Sequence, residues 1–223
     1  MRKPKALIFD LDGTISDTQA IHFANWMEVL RPHGIEVDID LYEDKLGGPP
    51  SEADIDGDID GLLPDLSEQE KKDFLKREAD GYRKRMSMAG TITGLTDFLE
   101  EARKRGIRLA LVSNAPKNDA GNSLGSLDMT KTFETLVFAE EVGAEKPDPS
   151  AYQYALKQLG IEPEALAFED SPSGTGGAVA AGIPVVGLCG TNHTPSELRE
   201  AGAEFIIGDY ADQALYDRLD GQG

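Results

Sequence analysis

Six short apolar runs recur along the chain, several of them ending in polar residues, with amphipathic stretches between them. This alternation constrains the fold more than any other feature. The runs are Ala6 to Phe9, Arg108 to Val112, Leu136 to Phe138, Leu166 to Phe168, Pro184 to Leu188 and Phe205 to Ile207. Between them, Leu95 to Arg105, Ser150 to Leu159, Gly176 to Ala181 and Pro195 to Ala201 carry helical patterns, stopped by Gly106, Gly160, Gly182 and Gly202. Strands alternating with helices imply an α/β fold, a doubly wound parallel sheet with crossover helices.

One region breaks the rhythm. From about Asp17 to Ala89 the patterns are helical and no strand is convincing. We expect a small helical cap domain at residues 17–89, inserted into a core domain of residues 1–16 plus 90–223. The short polar segments Thr14-Ile15-Ser16 and Gly90-Thr91-Ile92-Thr93-Gly94 suit a pair of hinges.

Composition narrows the function. With 41 Asp and Glu against 22 Lys and Arg in 223 residues, the net charge is −19, which excludes a basic nucleic-acid clamp. No apolar run approaches the roughly 18 residues a membrane span needs, so neither nucleic acid nor membrane is an expected partner. Cys189 stands alone, without a second thiol for a disulfide or a zinc site, and cytoplasm is the natural compartment. We expect Cys189 to be a small buried hydrophobe, and His33 and His193 to lie in loops.

In an open parallel sheet, ligands sit beyond the carboxyl ends of the strands, so the residues that follow each run should converge. The first run ends in Asp10-Leu11-Asp12-Gly13-Thr14, two carboxylates followed by a turn glycine and a hydroxyl. The second ends in Ser113-Asn114. Beyond the third comes Glu145-Lys146-Pro147-Asp148-Pro149, a lysine backed by prolines just before a helix. The fourth ends in Glu169-Asp170-Ser171-Pro172-Ser173-Gly174. Carboxylates for a hard cation, a hydroxyl, an amide and one lysine for an anion make a kit for phosphoryl transfer with Mg²⁺. The charges agree: Asp10, Asp170 and a phosphate dianion sum to −4, against +3 from Mg²⁺ and Lys146.

These four segments, in this order, resemble the motifs of the haloacid dehalogenase superfamily, and the resemblance covers essentially the whole chain. It implies a Rossmann-like core, with Asp10 as the nucleophile that becomes an aspartyl-phosphate and Asp12 as the acid and base. It also implies a Mg²⁺ site made by Asp10, Asp12 through its backbone carbonyl, Asp170 and, directly or through water, Glu169. Ser113 and Lys146 would hold the phosphoryl oxygens, with Asn114 beside them. An acid at position 12 favours phosphate over halide.

The substrate side is less defined. His22 and Trp26, in a His-x-x-x-Trp spacing, are similar to the first cap helix of β-phosphoglucomutase and related sugar-phosphate phosphatases; the same spacing also describes a helix with a half-buried Trp. Pro49-Pro50-Ser51-Glu52 stands where that mutase branch has an arginine for a second phosphate, which favours hydrolysis of a small phosphorylated metabolite over the mutase alternative. Asp56, Asp58, Asp60 and Gly61 match the start of an EF-hand calcium loop, but position twelve is Ser67 and Glu68 falls one residue late. A calcium- or partner-binding module is thus the alternative from outside enzymology. The run Gly174-Thr175-Gly176-Gly177-Ala178-Val179 is a glycine-rich helix start whose Val179 replaces the third glycine of a dinucleotide motif.

Overall fold

A computed structural model describes residues 3–38, 41–42, 46, 60–86, 88–161, 164–190 and 193–221. The chain divides into two compact units, one of Met1–Asp17 with Gly90–Gly223 and one of Thr18–Ala89. In chain order the elements are β1 (Ala6–Phe9), α1 (Gln19–Leu30), α2 (Glu68–Met86), α3 (Leu95–Lys104), β2 (Arg108–Ser113), α4 (Lys117–Ser126), β3 (Thr135–Phe138), α5 (Ala139–Val142), α6 (Ser150–Leu159), β4 (Ala165–Glu169), α7 (Pro172–Ala180), β5 (Val185–Leu188), α8 (Pro195–Glu200), β6 (Phe205–Ile207) and α9 (Gln213–Leu219). A 3₁₀ turn at Arg31–His33 and one helical turn at Asp60–Leu62 also lie among the described residues of the second unit.

The six strands form one sheet in the order β3-β2-β1-β4-β5-β6, parallel throughout. This is the doubly wound arrangement, and its order reverses between β1 and β4. Alternation along β1 sends Leu7 and Phe9 to one face and Ala6 and Ile8 to the other. The first face is aromatic: Phe9 stacks on Phe168 at 4.7 Å, and Phe98 and Tyr210 close round them. The opposite face is built on Ala110, Ala165 and Ala167, met by Ala151, Ala155 and Ala178 of the helices. Small residues there let α6 and α7 approach the sheet closely, while aromatic area on the first face contributes roughly 1.5–3 kcal/mol per buried Phe.

Strand limits moved by a residue where it matters. Ser113 and Glu169 are the last residues of β2 and β4, so both point from a fixed strand end. Pro184 lies outside β5, because it has no N–H to give; its carbonyl accepts from Ala167 N–H at 2.9 Å. Helix α7 begins at Pro172, four residues before the expected start at Gly176. Ser171 caps it by accepting from Gly174 N–H, and Pro172 suits the first turn.

The two linking segments pair with each other. Asp17 N–H donates to Gly90 O at 2.9 Å and Ile92 N–H to Ile15 O at 3.0 Å, with an antiparallel bridge between Ser16 and Thr91.

The helical unit has its own apolar cluster of Trp26, Leu30, Val37, Tyr42, Leu46, Leu63, Phe74 and Leu75. Beside it, Asn25 is fully buried on α1, and its Nδ2 donates to Glu78 O at 2.8 Å and Glu78 Oε1 at 3.0 Å on α2. Arg85 donates to Asn25 Oδ1 and pairs with Glu28. Gly81 permits this approach, since a Cβ there would stand 2.4 Å from Asn25 Oδ1. Pro49 to Glu52, Asp56 and Asp58 lie outside the described residues. Among the described residues no helix is long and apolar enough to cross a membrane.

Candidate active site

The carboxyl ends of β1 and β4 are neighbours, because Phe9 and Phe168 are in register. Asp10 follows Phe9, and its backbone N–H donates to Phe168 O at 3.0 Å. That pairing sets Asp10 beside Glu169 and Asp170. One carboxylate oxygen from each of the three lies within 4.8 Å of the others.

Lys146 enters from the loop before α6. Its ammonium pairs with Asp10 Oδ1 and, at 2.7 Å, with Glu169 Oε1. Its backbone N–H donates to Asn114 Oδ1 at 3.0 Å. Asn114 therefore spends its carbonyl oxygen on the lysine loop and has only its amide nitrogen left for an anion. Ser113 is buried, and its Oγ accepts Ala115 N–H at 3.0 Å, which leaves the hydroxyl proton available to a ligand.

Glycines make room for the acids. Gly13 has φ +76°, and a Cβ there would come within 2.0 Å of Asp170 Oδ2; at Gly174 one would come within 1.9 Å of Glu169 Oε2. The glycine-rich helix start thus serves the carboxylate before it. Thr14 Oγ1 reaches Asp170 Oδ1 only at 3.5 Å, while Thr14 O accepts from Tyr210 OH at 3.1 Å.

Among the described residues, the site carries more negative charge than Lys146 offsets. Burial, then the Asp10 charge, pushes Asp12 up to about 7. Burial is also the first cause that raises Asp170 well above the usual carboxylate range and Glu169 above its own, with Asp10 adding to both. Asp12 Oδ1 is buried with no hydrogen-bond partner. Three crowded carboxylates with one lysine, and an unpartnered carboxylate oxygen nearby, suit a hard divalent cation with oxygen ligands.

The remaining expectations divide. Trp26 is 2% exposed, not half-buried, with its ring against Phe74 at 6.1 Å inside the helical unit's cluster; the His22 side chain lies outside the described residues. Cys189 is half-buried, because it stands past the end of β5, where its thiol meets His193 O at 3.5 Å. His193 lies in a loop, whereas His33 closes the 3₁₀ turn with its ring 5.7 Å from Phe74. Sequence reasoning missed Tyr152 and Tyr210. Tyr152 OH donates to Glu169 Oε1, and its only sequence signal was a place six residues after Lys146 on the buried face of α6.

Comparison with known proteins places the chain among phosphatases and hydrolases of one family. The chain is 30% identical over 207 residues to a phosphorylated carbohydrates phosphatase of Thermotoga maritima, covering 91% of this chain and 94% of that protein. It is 31% identical over 200 residues to the validoxylamine A 7'-phosphate phosphatase of Streptomyces hygroscopicus subsp. limoneus, covering 88% and 91%. The fold is shared with the solved structure of a HAD family hydrolase from Deinococcus radiodurans R1, at a TM-score of 0.85 and 24% identity over 98% of this chain and 97% of that one. The haloacid dehalogenase-like hydrolase profile matches residues 7–188, and with relatives that span nearly the whole chain the protein belongs to that family of enzymes.

Proposed function

We propose that the protein is a Mg²⁺-dependent phosphatase of small phosphorylated metabolites, phosphorylated carbohydrates among them, working through an aspartyl-phosphate on Asp10. The observation that carries this reading is the convergence of Asp10, Glu169 and Asp170 around Lys146 at the point where the strand order reverses. Asp10, the backbone carbonyl of Asp12, Asp170 and, directly or through water, Glu169 are the residues that would hold Mg²⁺. When bound, the cation supplies the positive charge that lets a carboxylate face a phosphate dianion.

The chain's own groups do the rest. Lys146 and the Ser113 hydroxyl take phosphoryl oxygens, with the Asn114 amide nitrogen beside them. Asp10 attacks phosphorus and the bond to the leaving oxygen breaks. Asp12, raised to about 7, keeps a proton near neutrality and gives it to that oxygen, then takes one from the water that hydrolyses the aspartyl-phosphate. The inserted helical unit, as a cap, is read as the element that selects the leaving group, since the core motifs address only the phosphoryl end. A lone free cysteine supports a cytoplasmic setting.

The test is phosphate release across a panel of phosphorylated metabolites, with Mg²⁺ supplied or chelated. Release from one or a few esters that stops on chelation is the expected result. No release, with β-glucose 1-phosphate converted to the 6-phosphate when a bisphosphate primer is added, would replace hydrolysis by mutase activity.

A further inference from the structure

Glu169 is held inside the protein on every side. Its Oε1 accepts from both the Lys146 ammonium and the Tyr152 hydroxyl, its Oε2 lies 3.4 Å from Ser171 Oγ, and the Gly174 backbone closes the space beyond. Tyr152 is fully buried in the first turn of α6, the helix that follows the Lys146 loop, and the ammonium also stands 5.6 Å from the Tyr152 ring centroid. One side chain therefore meets the lysine twice, through a shared carboxylate oxygen and through its ring face.

A phenylalanine would fill the same place in the apolar cluster on that face of the sheet, so packing does not account for the hydroxyl. A buried hydroxyl is costly unless bonded, and Glu169 is its acceptor. We propose that Tyr152 is a positioning residue of the active site: through Glu169 Oε1 it sets where the Lys146 ammonium stands beside Asp10. Its catalytic consequence rests on the phosphatase reading. Without the hydroxyl, Oε1 is left to Lys146, the ammonium is drawn toward Glu169 and away from Asp10, and Glu169 loses one of the two donors to Oε1 that fix its place in the carboxylate cluster.

Tyr152→Phe keeps the ring and removes the donor, and three measurements test it: Mg²⁺ binding by calorimetry without substrate, kcat and KM on the best ester of the panel, and thermal unfolding. Loss of an outer partner at such a site costs about tenfold in metal affinity or activity, so Mg²⁺ affinity and kcat should each fall about tenfold, with KM little changed, at temperatures where the variant is fully folded. In a Glu169→Gln background the same substitution should add less than about twofold, because the residue it acts through is already altered. Mg²⁺ affinity and kcat within about twofold of the parent, or an equal loss in the Glu169→Gln background, would overturn the proposal. If Glu169→Gln does not fold, the Mg²⁺ titration of Tyr152→Phe decides alone. A parent protein that binds Mg²⁺ but hydrolyses no ester removes the phosphatase reading and with it the catalytic role; failure confined to the variant comparison removes only Tyr152.

Discussion

The two units of this protein handle buried charge in opposite ways. In the core unit, acids of like sign are gathered at the ends of β1 and β4 with one lysine among them, and burial pushes Asp12, Glu169 and Asp170 upward. In the helical unit the buried pair Asn25 and Glu78 bond each other, and the half-buried Arg85 bonds Asn25 and pairs with the exposed Glu28 across α1 and α2. The second arrangement ties α1 to α2 through the Asn25 side chain. The first is left short of positive charge, which is the state a site for a cation and a phosphate should have before they arrive.

Four predictions bear on that contrast. Asp10→Asn replaces the proposed nucleophile with a near-isosteric amide, so kcat should fall by at least about 10⁴-fold while circular dichroism shows a folded protein. Retained turnover would end the nucleophile assignment. Asp12→Ala should cost about 10²–10⁴-fold, the usual worth of a general acid and base, and should slow both phases of a single-turnover experiment. If neither phase changes, the proton is handled elsewhere.

In the helical unit, Asn25→Ala leaves Glu78 and Arg85 without their shared partner inside the fold. Denaturant unfolding should show a loss of about 1–3 kcal/mol, while Mg²⁺ affinity by calorimetry stays as it was. An equal loss of Mg²⁺ affinity would show that the two networks are not separate.

The smallest effect concerns pH. Asp12, Glu169 and Asp170 hold protons more tightly in the fold than in the unfolded chain. The Asp12 contribution to stability is therefore full below the ordinary carboxylate range, about pH 4, and lost as pH rises through about 7, its raised value, with Glu169 and Asp170 acting in the same direction. Chelated protein should melt lower at about pH 8 than at about pH 5, and Mg²⁺ should raise the melting temperature more at the higher pH, because the cation favours the ionised acids. An equal Mg²⁺ effect at both pH values would contradict the charge shortage described for the core.

The contrast also decides what could be seen in the sequence. Strand β1 shows as Ala6 to Phe9 because buried parallel strands read as apolar runs, and Asp10 shows because a charge directly after such a run has few structural reasons to be there. Helix α4 was hidden: Gly121, Gly125 and several Asn and Ser residues give it poor propensity, and only Ala120, Ser123 and Leu124 are buried. Helix α9 was also unanticipated, with Asp212 as its cap. Tyr152 could not be found, since a Tyr on the buried face of an amphipathic helix looks like core until Glu169 is seen above it. Trp26 is the converse, a spacing that looks functional and proves to be packed against Phe74. Asn114 lies between these cases. Its position after β2 marked it for the site, but its oxygen serves the Lys146 backbone, a use no spacing reveals.

The central claim is that phosphate passes through Asp10. It is tested most directly by quenching the protein in acid during turnover of a radiolabelled ester and locating the label by peptide mapping. The account predicts label on the peptide that contains Asp10, dependent on Mg²⁺ and absent from Asp10→Asn. Full turnover with no label on that peptide, under quench conditions that preserve an acyl phosphate, would contradict it.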